Sequence, residues 1–287
     1  MTASLADRYD AFLLDLDGVL YRGDDPVEGA PETLEALRSR GKALVFITNN
    51  SWRTPDQVAA KLDGMGIRAS ADEVVTSAEA VAAFLRRETA GGTAYVLGGE
   101  GVRSALARAG LEAVDGEPDR VDVVVVGWDG DLTYDRLRTA TVLVGRGARL
   151  VATNADASYP APGGELWPGA GAILAAVETG SGHRATVVGK PRPHLFELAV
   201  ERAGSSNALV IGDRIETDIV GASEADLESA FVLTGASTPA DLLASDSLPT
   251  YVLAELPALL REAPRARVAP ATAEDEAAIR RLLDGSG

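Results

Sequence analysis

Short apolar runs, each stopping at a small polar or acidic cluster, recur along the chain. Phe12-Leu13-Leu14 runs into Asp15-Leu16-Asp17-Gly18, Ala43-Leu44-Val45-Phe46-Ile47 into Thr48-Asn49-Asn50-Ser51, and Ala208-Leu209-Val210-Ile211 into Gly212-Asp213-Arg214. Such runs predict buried strands. Between them apolar residues fall at helical spacing: Leu34 and Leu37 after Pro31, and Val58, Leu62 and Met65 after a capping box at Thr54-Pro55-Asp56-Gln57. Leu195, Phe196, Ala199 and Val200 follow Pro193 in the same way. Tyr21 to Gly29 reads as a polar loop. Val74-Val75-Thr76 reads as a short strand, with Ser77 capping the next helix. From about Gly91 the alternation starts afresh, with strands expected at 93–98, 121–127 and 149–153 and helices near 102–109, 133–145 and 169–179. Alternating strands and helices predict parallel or mixed sheets, hence the α/β class. The second series reads as a module over residues 90–184 inserted into a first one built from 1–89 and 185–262, followed by a tail over 263–287.

The chemistry sits where the runs stop. In open α/β sheets ligands gather beyond the carboxyl ends of the strands. Asp15 and Asp17 are two residues apart on an extended chain, so both side chains can face one point. With Thr48-Asn49, Lys190 in Gly189-Lys190-Pro191, and Asp213 and Asp218, they make four polar clusters that one sheet could deliver to one edge. Hydrolysis of a phosphate ester explains the set. Transition-state charge spreads over the phosphoryl oxygens and calls for metal, cation and hydrogen-bond donors around them. Asp15, Asp213 and a backbone carbonyl offer the oxygen ligands that Mg2+ requires. A carboxylate nucleophile needs its own charge offset by the metal and Lys190, and a second acid, Asp17, must protonate the leaving alkoxide and then activate water.

Asp15-Leu16-Asp17-Gly18, Thr48-Asn49, Gly189-Lys190-Pro191 and Gly212-Asp213-Arg214-Ile215-Glu216-Thr217-Asp218 resemble the four motifs of the haloacid dehalogenase superfamily. The large insert between the second and third resembles the NagD-like phosphatases. The resemblance implies a Rossmann-like parallel-sheet core with an inserted α/β cap domain. It implies Asp15 as nucleophile, Asp17 as general acid/base and, through its carbonyl, a metal ligand, and Thr48, Asn49 and Lys190 around the phosphoryl group. It further implies Asp213 as a Mg2+ ligand and Asp218 as partner of a metal-bound water or of Lys190. In the cap, Thr153-Asn154-Ala155-Asp156 is also similar to that family; Asn154 and Asp156 either read the leaving group or simply form a turn and cap a helix. Within the NagD-like group the chain resembles the actinobacterial glycerol-3-phosphate phosphatases, and its tail from Ala266 to Leu283 resembles the start of a GNAT acetyltransferase. A phosphatase acting on a small phosphometabolite is therefore expected, glycerol 3-phosphate first, with 2-phosphoglycolate, nucleotide monophosphates and pyridoxal phosphate open.

Composition narrows this further. A formal charge of -16 over 287 residues argues against nucleic acid and anionic membranes as partners. No apolar run approaches the ~20 residues of a membrane span. The absence of cysteine excludes thiolate chemistry and fits a reducing compartment, so a cytoplasmic location is expected. His183 and His194 have no vacancy to fill in the scheme above, Asp129-Gly130-Asp131 reads as a turn before a Thr133 cap, and a cap sheet edge could pair two chains as a homodimer. Two rivals use similar residues. A phospho-receiver domain has no use for Asp17 or a cap, and a silent binding module has no use for the complete set.

Overall fold

The computed structural model describes residues 4–88, 91–161 and 165–261. The chain enters with α1 (Leu5–Arg8), β1 (Ala11–Leu14), the short strands β2 (Tyr21–Arg22) and β3 (Asp25–Pro26), α2 (Ala30–Ser39) and β4 (Ala43–Thr48). Next come α3 (Pro55–Gly64), β5 (Val74–Thr76), α4 (Ser77–Glu88), β6 (Gly92–Leu97), α5 (Glu100–Arg108), β7 (Leu111–Val114), β8 (Val123–Val126), α6 (Tyr134–Gly145) and β9 (Arg149–Ala152). After the hairpin β10 (Ser158–Pro160) and β11 (Leu166–Pro168) follow α7 (Ala170–Ser181), β12 (Thr186–Val187), α8 (Pro193–Ala203) and β13 (Ala208–Gly212). The described chain closes with α9 (Val220–Glu224), β14 (Glu228–Val232), α10 (Pro239–Ala244) and β15 (Tyr251–Leu253). The tail over 263–287, with its acetyltransferase-like segment, lies outside the described residues.

The described residues form two compact units, one within 4–47, 59–74 and 199–261, the other within 48–58 and 75–198. A six-stranded sheet runs in the order β15-β14-β13-β1-β4-β5, with β1 parallel to both β13 and β4. All four residues of β1 are fully buried, which is why its sequence is unbroken apolar: a central parallel strand is covered on both faces. A five-stranded sheet has the order β12-β9-β8-β6-β7, again with parallel pairs. Its central strand is four valines, all buried. Tyr95, Leu97, Val124 and Val126 of this sheet pack with Leu143 and Val144 of α6 and with Leu174 and Val177 of α7. Both units are thus α/β, with parallel sheets. Among the described residues no helix is long and apolar enough to cross a membrane.

Local chemistry sets the helix starts. Thr54 and Gln57 cap α3 reciprocally, with the Thr54 N–H donating to Gln57 Oε1 at 3.0 Å and the Gln57 N–H to Thr54 Oγ1 at 3.3 Å. Thr133 Oγ1 likewise accepts from the Arg136 N–H at 3.3 Å at the start of α6. At α4 the cap is Thr76, not Ser77: the Glu79 N–H donates to Thr76 Oγ1 at 3.2 Å. Ser77 is left to serve another purpose.

Three further features depart from expectation. Ala185–Val188 was expected to lead back into the first module, but β12 pairs with β9, Thr186 beside Val151 and Val187 beside Ala152. The Val188 and Gly189 N–H groups extend that pairing to the carbonyls of Ala152 and Thr153. Lys190 is therefore delivered by the five-stranded sheet, while Asp15 and Asp213 follow, and Thr48 ends, strands of the six-stranded one. One sheet does not carry all four clusters. Second, the polar loop after β1 contains a small hairpin, β2 against β3. Third, β7 and the β10–β11 hairpin are too short for the sequence pattern to show.

Candidate active site

In the first unit, one carboxylate oxygen each from Asp15, Asp213 and Asp218 lies within 4.8 Å of the others. Among the described residues this is the one such cluster of three or more His, Cys, Asp or Glu side chains. Asp15 directly follows β1 and Asp213 directly follows β13. The two strands pair in register from Ala11 opposite Ala208 to Leu14 opposite Ile211, and the Asp15 N–H donates to the Ile211 carbonyl at 2.9 Å. Asp218 reaches the same place through a π turn over Ile215–Ile219, a distortion frequent at functional sites. Its Oδ2 accepts from the Arg214 N–H at 3.1 Å.

Asp213 is held from two sides. Its Oδ2 accepts from the Ala236 N–H at 2.6 Å, and its carbonyl accepts from the Ser237 N–H at 3.1 Å. Gly18, with φ of 83°, turns the chain sharply after β1. A Cβ on Gly18 would stand 2.3 Å from Asp213 Oδ2, and one on Gly235 would stand 1.9 Å from it. Two glycines thus let the backbone close around one carboxylate. Thr234 Oγ1 ties them together by donating to the Gly18 carbonyl at 2.7 Å. Nothing in the sequence reading singled out Thr234-Gly235-Ala236-Ser237. The available signal was a glycine just past the carboxyl end of β14.

Asp17, the expected acid/base, is exposed, and its Oδ2 accepts from the Tyr21 hydroxyl at 3.4 Å. Its carboxylate stands outside the cluster of three. Ionised carboxylates at about 5 Å repel by about 3 kcal/mol per pair at an effective dielectric near 20. Three hard oxygen donors at this spacing fit a divalent cation such as Mg2+ or Ca2+. Asp218, expected to act through a water or Lys190, sits in the same group as Asp15 and Asp213.

Thr48, Asn49, Lys190, Asn154 and Asp156 belong to the second unit. Thr48 is buried at the end of β4, and its Oγ1 accepts from the Asn50 N–H at 3.1 Å. Four of these residues form a network. Asn49 Oδ1 accepts from the Lys190 N–H at 2.8 Å, and Asn49 Nδ2 donates to the Lys190 carbonyl and to Asp156 Oδ2, both at 3.1 Å. The Asn49 carbonyl accepts from Ser77 Oγ at 2.7 Å and from Asn154 Nδ2 at 2.8 Å. Asn154 Oδ1 in turn accepts from the Asp156 N–H at 3.2 Å. Ser77, freed from capping, is a member that sequence spacing did not find. Lys190 is 2% exposed, a burial that lysine tolerates only with its charge matched.

The remaining candidates are structural. His183 Nδ1 lies 2.9 Å from the Ser181 carbonyl, and the His194 ring packs on Phe84 at 5.0 Å. Asp129 Oδ1 accepts from the Asp131 N–H at 3.0 Å, the turn expected there, and Asp129 pairs with Arg136 at 2.7 Å. Trp52 continues into an edge-to-face aromatic row with Trp128 at 4.9 Å, then Tyr159 at 5.5 Å and Trp167 at 6.3 Å.

Known proteins share this plan. Residues 12–112 match the family described as haloacid dehalogenase-like hydrolase, and residues 187–259 a second family described as HAD-hydrolase-like. The acid sugar phosphatase of Staphylococcus saprophyticus is 40% identical over 256 residues, covering 88% of this chain and 98% of that protein. That of Staphylococcus aureus is 39% identical over 251 residues, covering 87% and 96%. The crystal structure of glycerol phosphate phosphatase from Mycobacterium tuberculosis in complex with magnesium is similar at a TM-score of 0.87 and 37% identity, over 91% of this chain and 79% of that one. The 4-nitrophenylphosphatase of Thermotoga maritima gives a TM-score of 0.83 at 33% identity, over 90% and 99%. With relatives this similar over nearly their whole lengths, and an aspartate cluster at the strand ends where the motifs fall, the chain belongs to the haloacid dehalogenase-like hydrolases, among the NagD-like phosphatases.

Proposed function

We propose that this protein is a Mg2+-dependent phosphomonoesterase that works through an aspartyl-phosphate on Asp15, with glycerol 3-phosphate as substrate. The observation that carries the proposal is the convergence of Asp15, Asp213 and Asp218 within 4.8 Å. When bound there, Mg2+ supplies positive charge that offsets the carboxylates and the charge developing on the phosphoryl group. Asp15, Asp213 and Asp218, with the Asp17 carbonyl, are the groups that would hold it.

In the first half-reaction an Asp15 carboxylate oxygen bonds to phosphorus, the bond to the leaving oxygen breaks, and protonated Asp17 gives that oxygen its proton. In the second, the Asp17 carboxylate takes a proton from water, the water oxygen bonds to phosphorus, and the bond to Asp15 breaks. Inorganic phosphate leaves and Asp17 is protonated again. Exposure suits Asp17 to a group that exchanges protons with both alcohol and water. Thr48 and Lys190 are assigned to the phosphoryl oxygens and residues 90–184 to the cap, on the strength of family membership. Asn154 and Asp156 are assigned to the leaving group on the same ground.

The substrate assignment is supported by the mycobacterial glycerol phosphate phosphatase. A sugar phosphate is the second reading, supported by the staphylococcal acid sugar phosphatases at 40% identity. Cytoplasmic placement rests on the zero cysteine count, and homodimerisation through the cap on the β7 edge of its sheet. Phosphate release with Mg2+ across glycerol 3-phosphate, hexose phosphates, 2-phosphoglycolate, nucleotide monophosphates and pyridoxal phosphate tests the proposal. The expected result is the highest kcat/KM for glycerol 3-phosphate. A tenfold preference for a hexose phosphate would install the second reading.

A further inference from the structure

We infer that Asn49 is a positioning residue: its side-chain amide latches the backbone of Lys190 to the end of β4, and Asp156 sets the direction of that amide. The inference deepens the phosphatase reading and rests on it for its catalytic consequence. By position in the second motif Asn49 was expected to contact the phosphoryl group, but its side chain is already engaged. Oδ1 accepts from the Lys190 N–H at 2.8 Å, and Nδ2 donates to the Lys190 carbonyl at 3.1 Å. One amide therefore grips both polar backbone groups of one residue, as a neighbouring strand would. The second Nδ2 hydrogen goes to Asp156 Oδ2 at 3.1 Å. A primary amide has two N–H groups, so donating to a phosphoryl oxygen would mean releasing a bond it already makes.

Asp156 gives the latch a direction. An ionised carboxylate accepts strongly from an N–H and repels an amide oxygen. If the Asn49 amide turned over, Oδ1 would face Asp156 Oδ2 and the Lys190 carbonyl and Nδ2 would face the Lys190 N–H, so three attractive contacts would become repulsive. Asp156 thus orients Asn49, and Asn49 orients the backbone that carries the Lys190 side chain. The Asn49 backbone is fixed in turn, since its carbonyl accepts from Ser77 Oγ and Asn154 Nδ2. The latch also needs a residue without a side chain next to Lys190. A Cβ on Gly189 would stand 2.7 Å from Asn49 Oδ1 and 2.1 Å from the Thr153 carbonyl. Asn154 and Asp156 accordingly act as supports of Lys190 and not only as a turn.

The test combines kinetics with amide exchange on the full-length protein, using 4-nitrophenyl phosphate. Asn49→Ala should lower kcat by about 10- to 100-fold with KM changed by less than about threefold, since a displaced supporting group costs rate more than binding. Asp156→Ala should lower kcat by about tenfold, and the double variant should be no worse than Asn49→Ala alone, the signature of residues acting in series. Asp156→Asn, whose amide oxygen still accepts from Nδ2, should return to within about threefold of the parent. A Mg2+-induced rise in melting temperature like that of the parent certifies that each variant is folded. Hydrogen exchange at the Lys190 amide needs no turnover: its protection should fall in Asn49→Ala and in Asp156→Ala. Unchanged protection in Asn49→Ala would overturn the latch whatever the kinetics. So would multiplicative losses in the double variant, or a rise in KM and in the phosphate inhibition constant at unchanged kcat, which would mark direct phosphate contact. A parent protein that hydrolyses no phosphate ester, yet loses Lys190 protection in Asn49→Ala, would keep the latch and defeat the phosphatase reading.

Discussion

The end of β1 and the end of β4 solve opposite problems. Beyond β1, three carboxylates gather within 4.8 Å, like charge upon like charge. Beyond β4, donors and acceptors alternate: the Lys190 N–H meets Asn49 Oδ1, Asn49 Nδ2 meets Asp156 Oδ2, and Asn154 Nδ2 meets the Asn49 carbonyl. The second arrangement is completed by the chain's own residues. The first is favoured by a cation from outside. The contrast teaches that one strand end can gather like charges that call for a cation while another is satisfied by hydrogen bonds among the chain's own residues.

The difference between the two strand ends can be tested directly. Asp15→Asn should reduce phosphate release by on the order of 10^4-fold or more. The melting temperature of the metal-free protein should not fall, because one of three mutually repelling charges is removed; a large loss of stability would mean that the cluster is not tense. Chelation with EDTA should abolish activity, and Mg2+ restored at about 100 times its dissociation constant should add about 2.7 kcal/mol of stability, seen as a rise in melting temperature. That rise should vanish in Asp213→Asn, which keeps the shape of the site but not its charge. Gly235→Ala places a methyl 1.9 Å from Asp213 Oδ2. It should cost about 1–3 kcal/mol of stability and about tenfold in kcat, read by thermal melting and steady-state kinetics.

The smallest effect is on acid stability. The hydrogen bonds from the Thr93 N–H and hydroxyl hold Asp122 below the usual carboxylate range. Burial pushes Glu73 up, but Arg38 and the Ser70 N–H outweigh it and leave Glu73 low as well. Groups with depressed folded values add stability above their unfolded values and lose it as pH falls through the folded ones. Melting temperature should therefore hold near neutrality and fall below about pH 4, less steeply in Glu73→Gln and Asp122→Asn than in the parent.

The strands that end in motifs were legible because burial on both faces writes itself as an unbroken apolar run, and a polar cluster marks where the run meets the site. Asp15, Asp213 and Asp218 could be named for that reason. Ala236, 23 residues from Asp213 in sequence, could not, because it contributes only a backbone N–H, which no side-chain pattern encodes. The α4 cap was placed one residue late, on Ser77 and not Thr76, because Thr and Ser both cap well, and which hydroxyl does so depends on where the strand stops. β12 was assigned to the wrong sheet because two residues carry too little periodicity to choose a partner, and its place was settled by pairing with β9.

The aromatic row has a practical consequence. The chain contains three tryptophans, and Trp52, Trp128 and Trp167 all fall in the second compact unit, whereas Tyr9, Tyr21 and Tyr251 fall in the first. Selective indole emission is therefore a built-in optical probe of one half of the molecule. Followed beside circular dichroism during denaturation, it reports whether the two halves lose structure in a single step or one after the other.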